Sequence, residues 1–197
     1  MRYKHESGRV IKSNVFFGDT PGFQEMEGIS FDHVKYILRG NVPDKYKIVN
    51  GIQETHEDFK AHPTPGEKIH CVCVVFDCVT TSKGLSAKMT KTMQNVLQVV
   101  TKEEIPFIVI LTKCDAVGEM VKANKRRVFE DKRVKECKNI LMETFRLKQK
   151  KIFPVVNYIQ ENAVDLQADA LLLAVFNEVL KIGKRKLEEL EEEGDSR

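Results

Sequence analysis

Asn14-Val-Phe-Phe-Gly-Asp-Thr-Pro-Gly-Phe23 is an apolar run (Val15, Phe16, Phe17) that stops abruptly in Gly18, Asp19, Thr20, Pro21 and Gly22. A buried strand has this pattern where it leaves the carboxyl edge of a parallel sheet and becomes a loop. Ligands of open α/β sheets bind at that edge. A carboxylate delivered there can hold a metal-bound water, and a glycine lets a backbone N–H approach a phosphate. Asp-Thr-Pro-Gly is also an ordinary turn sequence, so the stretch alone leaves both readings open.

Residues 105–115 repeat the pattern. Ile-Pro-Phe-Ile-Val-Ile-Leu is a second continuous apolar strand, and it ends in Thr112-Lys113-Cys114-Asp115, a form of the Asn/Thr-Lys-x-Asp signature that reads guanine. A carboxylate at Asp115 can accept hydrogen bonds from the N1–H and the exocyclic amine of guanine, a donor pair that adenine lacks. Lys113 can lay its alkyl stem across the base. Two strand-terminal motifs in this order are far more specific than either one. They predict an α/β fold of three layers, P-loop GTPase-like (Rossmann-like), with a mostly parallel sheet and flanking helices.

The 197 residues suffice for one such domain, and 42% hydrophobic with 31% charged residues is ordinary for a globular chain. A net charge of +3 is too small to argue for nucleic acid. No stretch is long and apolar enough for a membrane span, and there is no signal-peptide pattern. Cysteines 71, 73, 78, 114 and 137 suit a reducing compartment, and the cytoplasm is the expected location. Cys71 and Cys73 share one face of a strand as small apolar groups.

In chain order, residues 1–4 read as the tail of a strand, 5–9 as a hairpin turn and 10–17 as the first complete strand. After Gly22 comes a mobile region, then a helix over 30–39 stopped by Gly40. Residues 41–68, with three prolines and two glycines, read as a surface excursion. Residues 69–76 form a central strand and 85–101 a helix with Met89, Met93, Val96, Leu97 and Val100 on its core face. A charged helical stretch covers 117–147, and its Lys122, Lys125, Arg126 and Arg127 read as a solvated face rather than a patch for an acidic partner. The last strand is 151–157. Its end, with Asn157, stands where backbone N–H groups would meet the guanine oxygen. A final helix over 164–192 turns Leu171, Leu172, Val175, Phe176, Val179 and Leu180 to the sheet. The expected division is 1–183 as a partial GTPase-like domain and 184–197 as a charged helical extension.

Gly-x-x-x-x-Gly-Lys-Ser/Thr, the loop that binds phosphate in such domains, occurs nowhere in the sequence. Asp19 also stands too early for a strand, loop and helix to precede it. The expectation is therefore a domain lacking its first strand and phosphate loop. That strand would lie between 10–17 and 69–76, so its loss leaves a gap or forces the two to pair, with apolar surface poorly covered either way.

Asp19-Thr-Pro-Gly-Phe23, Tyr36-Ile-Leu-Arg-Gly-Asn-Val-Pro-Asp-Lys-Tyr46, Ile69-His-Cys-Val-Cys-Val-Val-Phe-Asp77 and Pro154-Val-Val-Asn-Tyr158 together resemble the interferon-induced protein 44 family over nearly the whole chain. The resemblance implies a cytoplasmic, interferon-inducible protein of antiviral innate immunity with a GTP-binding domain. By that resemblance GTP or GDP and magnesium are the cofactors. Asp19 and Gly22 match the switch element, with Asp19 holding magnesium through water, and Thr112, Lys113 and Asp115 match the guanine element. Without the phosphate loop, and with Phe23 where small GTPases carry their water-orienting glutamine, hydrolysis is not expected. Action through protein partners in antiviral signalling is expected instead, the alternative being GTP binding with slow hydrolysis.

Overall fold

A computed structural model describes residues 2–4, 10–12, 15–20, 31–43, 46, 51–159 and 163–195. Strand β1 (Arg2–Lys4) pairs antiparallel with β2 (Val10–Lys12), Arg2 opposite Lys12. The expected turn at 5–9 and the region after Gly22 lie outside the described residues. The strand expected over 10–17 is corrected: it is β2 alone, paired with β1, and residues 15–20 are not strand. Phe16 is 86% and Phe17 64% exposed, so the apolar run does not form a buried sheet strand. Period and apolarity cannot choose a sheet neighbour, and this is where the sequence reading failed.

Helix α1 (Phe31–Leu38) ends at Gly40, whose φ of +77° and whose approach to the Glu67 carbonyl leave no room for a side chain. The Arg39 guanidinium grips Glu103 at 2.6 Å, tying α1 to the chain beyond the core helix described next. Residues 51–68 are largely exposed, as the excursion reading expects, but Ile52 is buried, and Asn41 is exchanged with Lys60 through a backbone bond of 2.8 Å and a side-chain bond of 2.6 Å.

Strand β3 (Val72–Asp77) runs into α2 (Cys78–Ser82) and then α3 (Ala87–Lys102), whose N-terminus Ser86 caps by accepting from the Met89 N–H. Strand β4 (Phe107–Thr112) lies parallel to β3, Val74 opposite Val109. The charged stretch is not one helix. Asn124 and Asp131 each cap a new start, giving α4 (Glu119–Ala123), a 3-10 turn (Lys125–Phe129) and α5 (Lys132–Phe145). Strand β5 (Ile152–Pro154) lies parallel to β4, and α6 (Leu166–Asp195) closes the chain.

The architecture is α/β. A parallel sheet in the order β3-β4-β5 has α3 and α5 on one face and α6 on the other. Alternation along each strand sorts the side chains. Val74, Phe76, Val109, Leu111 and Ile152 meet Met93 and Leu97 of α3 and Val134, Cys137, Leu141 and Phe145 of α5. Ile108 and Val155 meet Leu171, Val175, Val179 and Ile182 of α6. Leu172, expected on that face, is 36% exposed; the face α6 buries is set instead by Leu171, Val175, Val179 and Ile182. Strand β3, expected to be central, is an edge among the described residues: apolarity reports on the two faces of a strand and not on which strands flank it. On its other face Cys73 and Val75 are open, Val75 to 55%, in keeping with the expected uncovered sheet surface.

Candidate functional site

The carboxyl ends of β3, β4 and β5 gather the chemistry. At the end of β3, the Asp77 carboxylate caps α2 by accepting the Thr80 N–H at 2.7 Å, and its carbonyl accepts the Thr81 hydroxyl at 2.8 Å. Partial burial pushes the Asp77 carboxyl up; the Thr80 donors and the Lys113 ammonium outweigh it and hold the group below the usual carboxylate range.

The β4 end is built as a plugged turn. The Thr112 hydroxyl donates to the Phe76 carbonyl at 3.2 Å, stitching the two strand ends together. Lys113 turns left-handed, with φ of 55°, which throws its side chain outward. Cys114 then points inward, fully buried, with its thiol 3.7 Å from the Cys78 sulfur and 3.2 Å from the Leu111 carbonyl. Its N–H donates to the Val155 carbonyl just past β5, and the Val155 N–H donates back to Leu111 at 2.8 Å. Asp115 follows at the half-buried rim. A cysteine suits the third position because a small apolar side chain fills the space beneath the turn without demanding a strong hydrogen-bond partner.

Behind the turn stands Asp131, buried to 3% exposure. One carboxylate oxygen caps α5 by accepting the Arg133 and Val134 N–H groups at 2.9 and 3.2 Å, and the other accepts the Met120 N–H of α4 at 3.1 Å. Gly118 makes this approach feasible: a Cβ there would lie 2.8 Å from the carboxylate. Opposite, Lys125 pairs with Asp165 at 2.5 Å, and Asp165 accepts the Gln167 and Ala168 N–H groups at the start of α6. The Lys125 ammonium, then those N–H groups, hold the Asp165 carboxyl below its usual range. The Tyr158 hydroxyl, accepting the Asp165 N–H at 2.7 Å and bonding the Asp169 carboxylate at 2.8 Å, closes this side.

The structure therefore brings Thr112, Lys113 and Asp115 to one edge, beside Asp77, with exposed Asn157 two residues beyond Val155. It does not bring Asp19 there on a sheet strand. Asp19 is exposed, no described hydrogen bond or ion pair joins it to the 112–115 turn, and its segment touches α6 through stacked Phe17 and Phe176 rings with centroids 5.9 Å apart. Gly22 lies outside the described residues. Of the wider basic cluster, Lys125 is committed to Asp165 and Arg127 to Glu130 at 3.0 Å.

The capping roles of Asp131 and Asp165 escaped the sequence reading, and Tyr158 entered it only as the end of a motif. The first two carried a signal, an aspartate immediately before a helix, hidden by reading 117–147 as one helix and by starting the last helix early. At this edge the Asp115 carboxylate is an acceptor and the exposed Lys113 a long alkyl stem with a cationic head. For magnesium, the described residues assemble no group of three His, Cys, Asp or Glu side chains suited to a metal.

Human interferon-induced protein 44-like is 29% identical over 197 residues, covering 95% of this chain and 42% of that protein. Mouse and human interferon-induced protein 44 are 26% and 27% identical, each over 87% of this chain and over 41% and 39% of their own lengths. The chain is similar to the interferon-induced protein 44 family over nearly its whole length. The resemblance carried by Asp19–Phe23 and Tyr36–Tyr46 in the sequence is thus borne out. The chain spans about two-fifths of the length of the family members it matches. No family model matches it, and no solved structure does. No helix among the described residues is long and apolar enough to cross a membrane.

Proposed function

We propose that this chain is the P-loop GTPase-like part of a cytoplasmic, interferon-inducible antiviral protein, that its carboxyl sheet edge reads a guanine base, and that its output is protein contact rather than nucleotide turnover. The carrying observation is the plugged 112–115 turn. It is bonded to both neighbouring strand ends, by the Thr112 hydroxyl to Phe76 and by the Cys114 N–H to Val155, so the backbone that displays Lys113 and Asp115 is ordered before anything binds. In this reading Asp115 accepts the two guanine donors and Lys113 covers the base. Asn157 lies on the side of the guanine oxygen. Asp19 and Gly22 are assigned to the phosphates and to water-held magnesium by family resemblance alone.

A second reading, nucleotide-independent interaction, is favoured by one observation: the Asp19 segment is docked on α6 through Phe17 rather than delivered by a sheet strand. Titration of a fluorescent GTP analogue with magnesium, beside Asp115→Asn and an ATP analogue, separates the two. Guanine reading requires saturable binding that weakens about 10–100-fold with Asp115→Asn, as befits loss of a bidentate charged acceptor. A folded chain that binds neither analogue refutes it and leaves the interaction protein.

A further inference from the structure

At the opposite, amino edge of the sheet, the structure holds a cavity of about 370 Å³. It lies between the end of α3, the starts of β4 and β5 and the distal part of α6. Ile105, Phe107 and Ile182 form apolar wall, and Lys151, Arg185 and Lys186 bring three cations to it against the carboxylates of Glu104 and Glu189. A volume of this order is that of a small-molecule site, and such sites combine apolar wall with a few convergent polar groups.

The cations are poorly matched by the protein itself. Lys186 is 8% exposed, and Glu189 reaches it at 3.4 Å. Lys151 holds its ammonium 3.7 Å from the centroid of the Phe107 ring, and no carboxylate among the described residues pairs with it. Burial, then the Lys148 and Lys150 ammonium groups, hold Lys151 below its usual range, and the lining sets three cations against two carboxylates. Arg185 has no carboxylate partner among the described residues, and its planar fork matches an oxyanion in two-point contact. Glu104 and Glu189 limit the charge the cavity accepts, which disfavours a polyphosphate.

We propose that this cavity binds a small organic anion, a single phosphate or carboxylate head on an apolar or aromatic body, with the head between Lys151 and Arg185 and the body against Ile105 and Ile182. It is separate from the guanine-reading edge and stands whether or not that reading does.

The test is titration of phenyl phosphate, 3-phenylpropionate and inorganic phosphate, read by backbone amide shifts of Ile105, Phe107 and Ile182. Arg185→Gln and Lys151→Gln are run beside the unaltered chain, with amide spectra elsewhere reporting the fold. Saturable shifts from phenyl phosphate or 3-phenylpropionate, weakened about tenfold in either variant, are expected. Arg185 is solvent-facing, so Arg185→Gln tests the site without endangering the core. Absence of saturable shifts from both organic anions, or shifts unchanged in Arg185→Gln, would overturn the proposal. Inorganic phosphate binding as tightly as phenyl phosphate would overturn the assignment of an apolar body.

Discussion

Asp131 is the residue whose removal should tell most about how the site is held. Asp131→Ala deletes one acceptor that serves two N–H groups at the start of α5 and another that serves one at the start of α4. Loss of a helix cap costs about 1 kcal/mol, and an orphaned, part-buried Met120 N–H costs about 1–3 more, for about 2–4 kcal/mol together. At about 2–4 °C per kcal/mol for a chain of this size, the melting temperature should fall by about 4–16 °C. Asp131→Asn keeps the acceptor for Arg133 and Val134 but turns an amide toward the Met120 N–H, so it should fall between wild type and Ala. Thermal melts followed by circular dichroism measure both. Amide hydrogen exchange adds the functional half: protection at Cys114 and Gly118 should drop more than protection in β4, since Asp131 supports the segment leading out of the turn. A shift under about 1 °C for Asp131→Ala, or Asp131→Asn falling below it, would show that the carboxylate does not brace the turn.

Gly40→Ala would force a side chain into a left-handed position with its Cβ 2.4 Å from the Glu67 carbonyl, and should cost about 2–3 kcal/mol in chemical denaturation. Acidification should destabilise the chain. The Lys60 ammonium, then the Thr64 N–H and hydroxyl, hold Glu67 at about 2 against an ordinary 4.5. A depressed folded value means stability present above pH 4.5 and lost as pH falls toward 2, with Asp165 and Asp77 acting in the same direction. Melting temperature against pH checks this, and Glu67→Gln should flatten the slope in that window. Lys125→Gln should lower stability by no more than about 1 kcal/mol, because its pair with Asp165 is partly solvated, yet it should increase exchange at Gln167 and Ala168.

Much of the α/β frame was legible because its signals are local. Helix α1 and its glycine stop, the methionine stripe of α3, the strand at β4 and the 112–115 motif each follow from period, cap or breaker within a dozen residues. The 112–115 turn was legible as a motif, but the reason Cys114 occupies it lies in Cys78, which packs beneath it from 36 residues away. Partner choice was not legible. Val10, Ile11, Val15, Phe16 and Phe17 have a strand's composition, and nothing local says that Val10–Lys12 pairs with Arg2–Lys4 while Phe17 stacks on Phe176, 159 residues further along. The charged stretch misled for a related reason: Asn124 and Asp131 end one element and begin another, and their capping role rests on backbone geometry that charge patterning ignores.

The distribution of thiols gives this chain a set of internal clocks. Cys73 is open on β3, whereas Cys78, Cys114 and Cys137 are buried on three different pieces of structure: the start of α2, the turn after β4 and the middle of α5. A thiol reagent should therefore mark Cys73 at once and reach the others only when their own segment opens. The order in which those three adducts appear would time the loosening of the sheet edge, the turn and the core helix within a single experiment, with no substitution introduced.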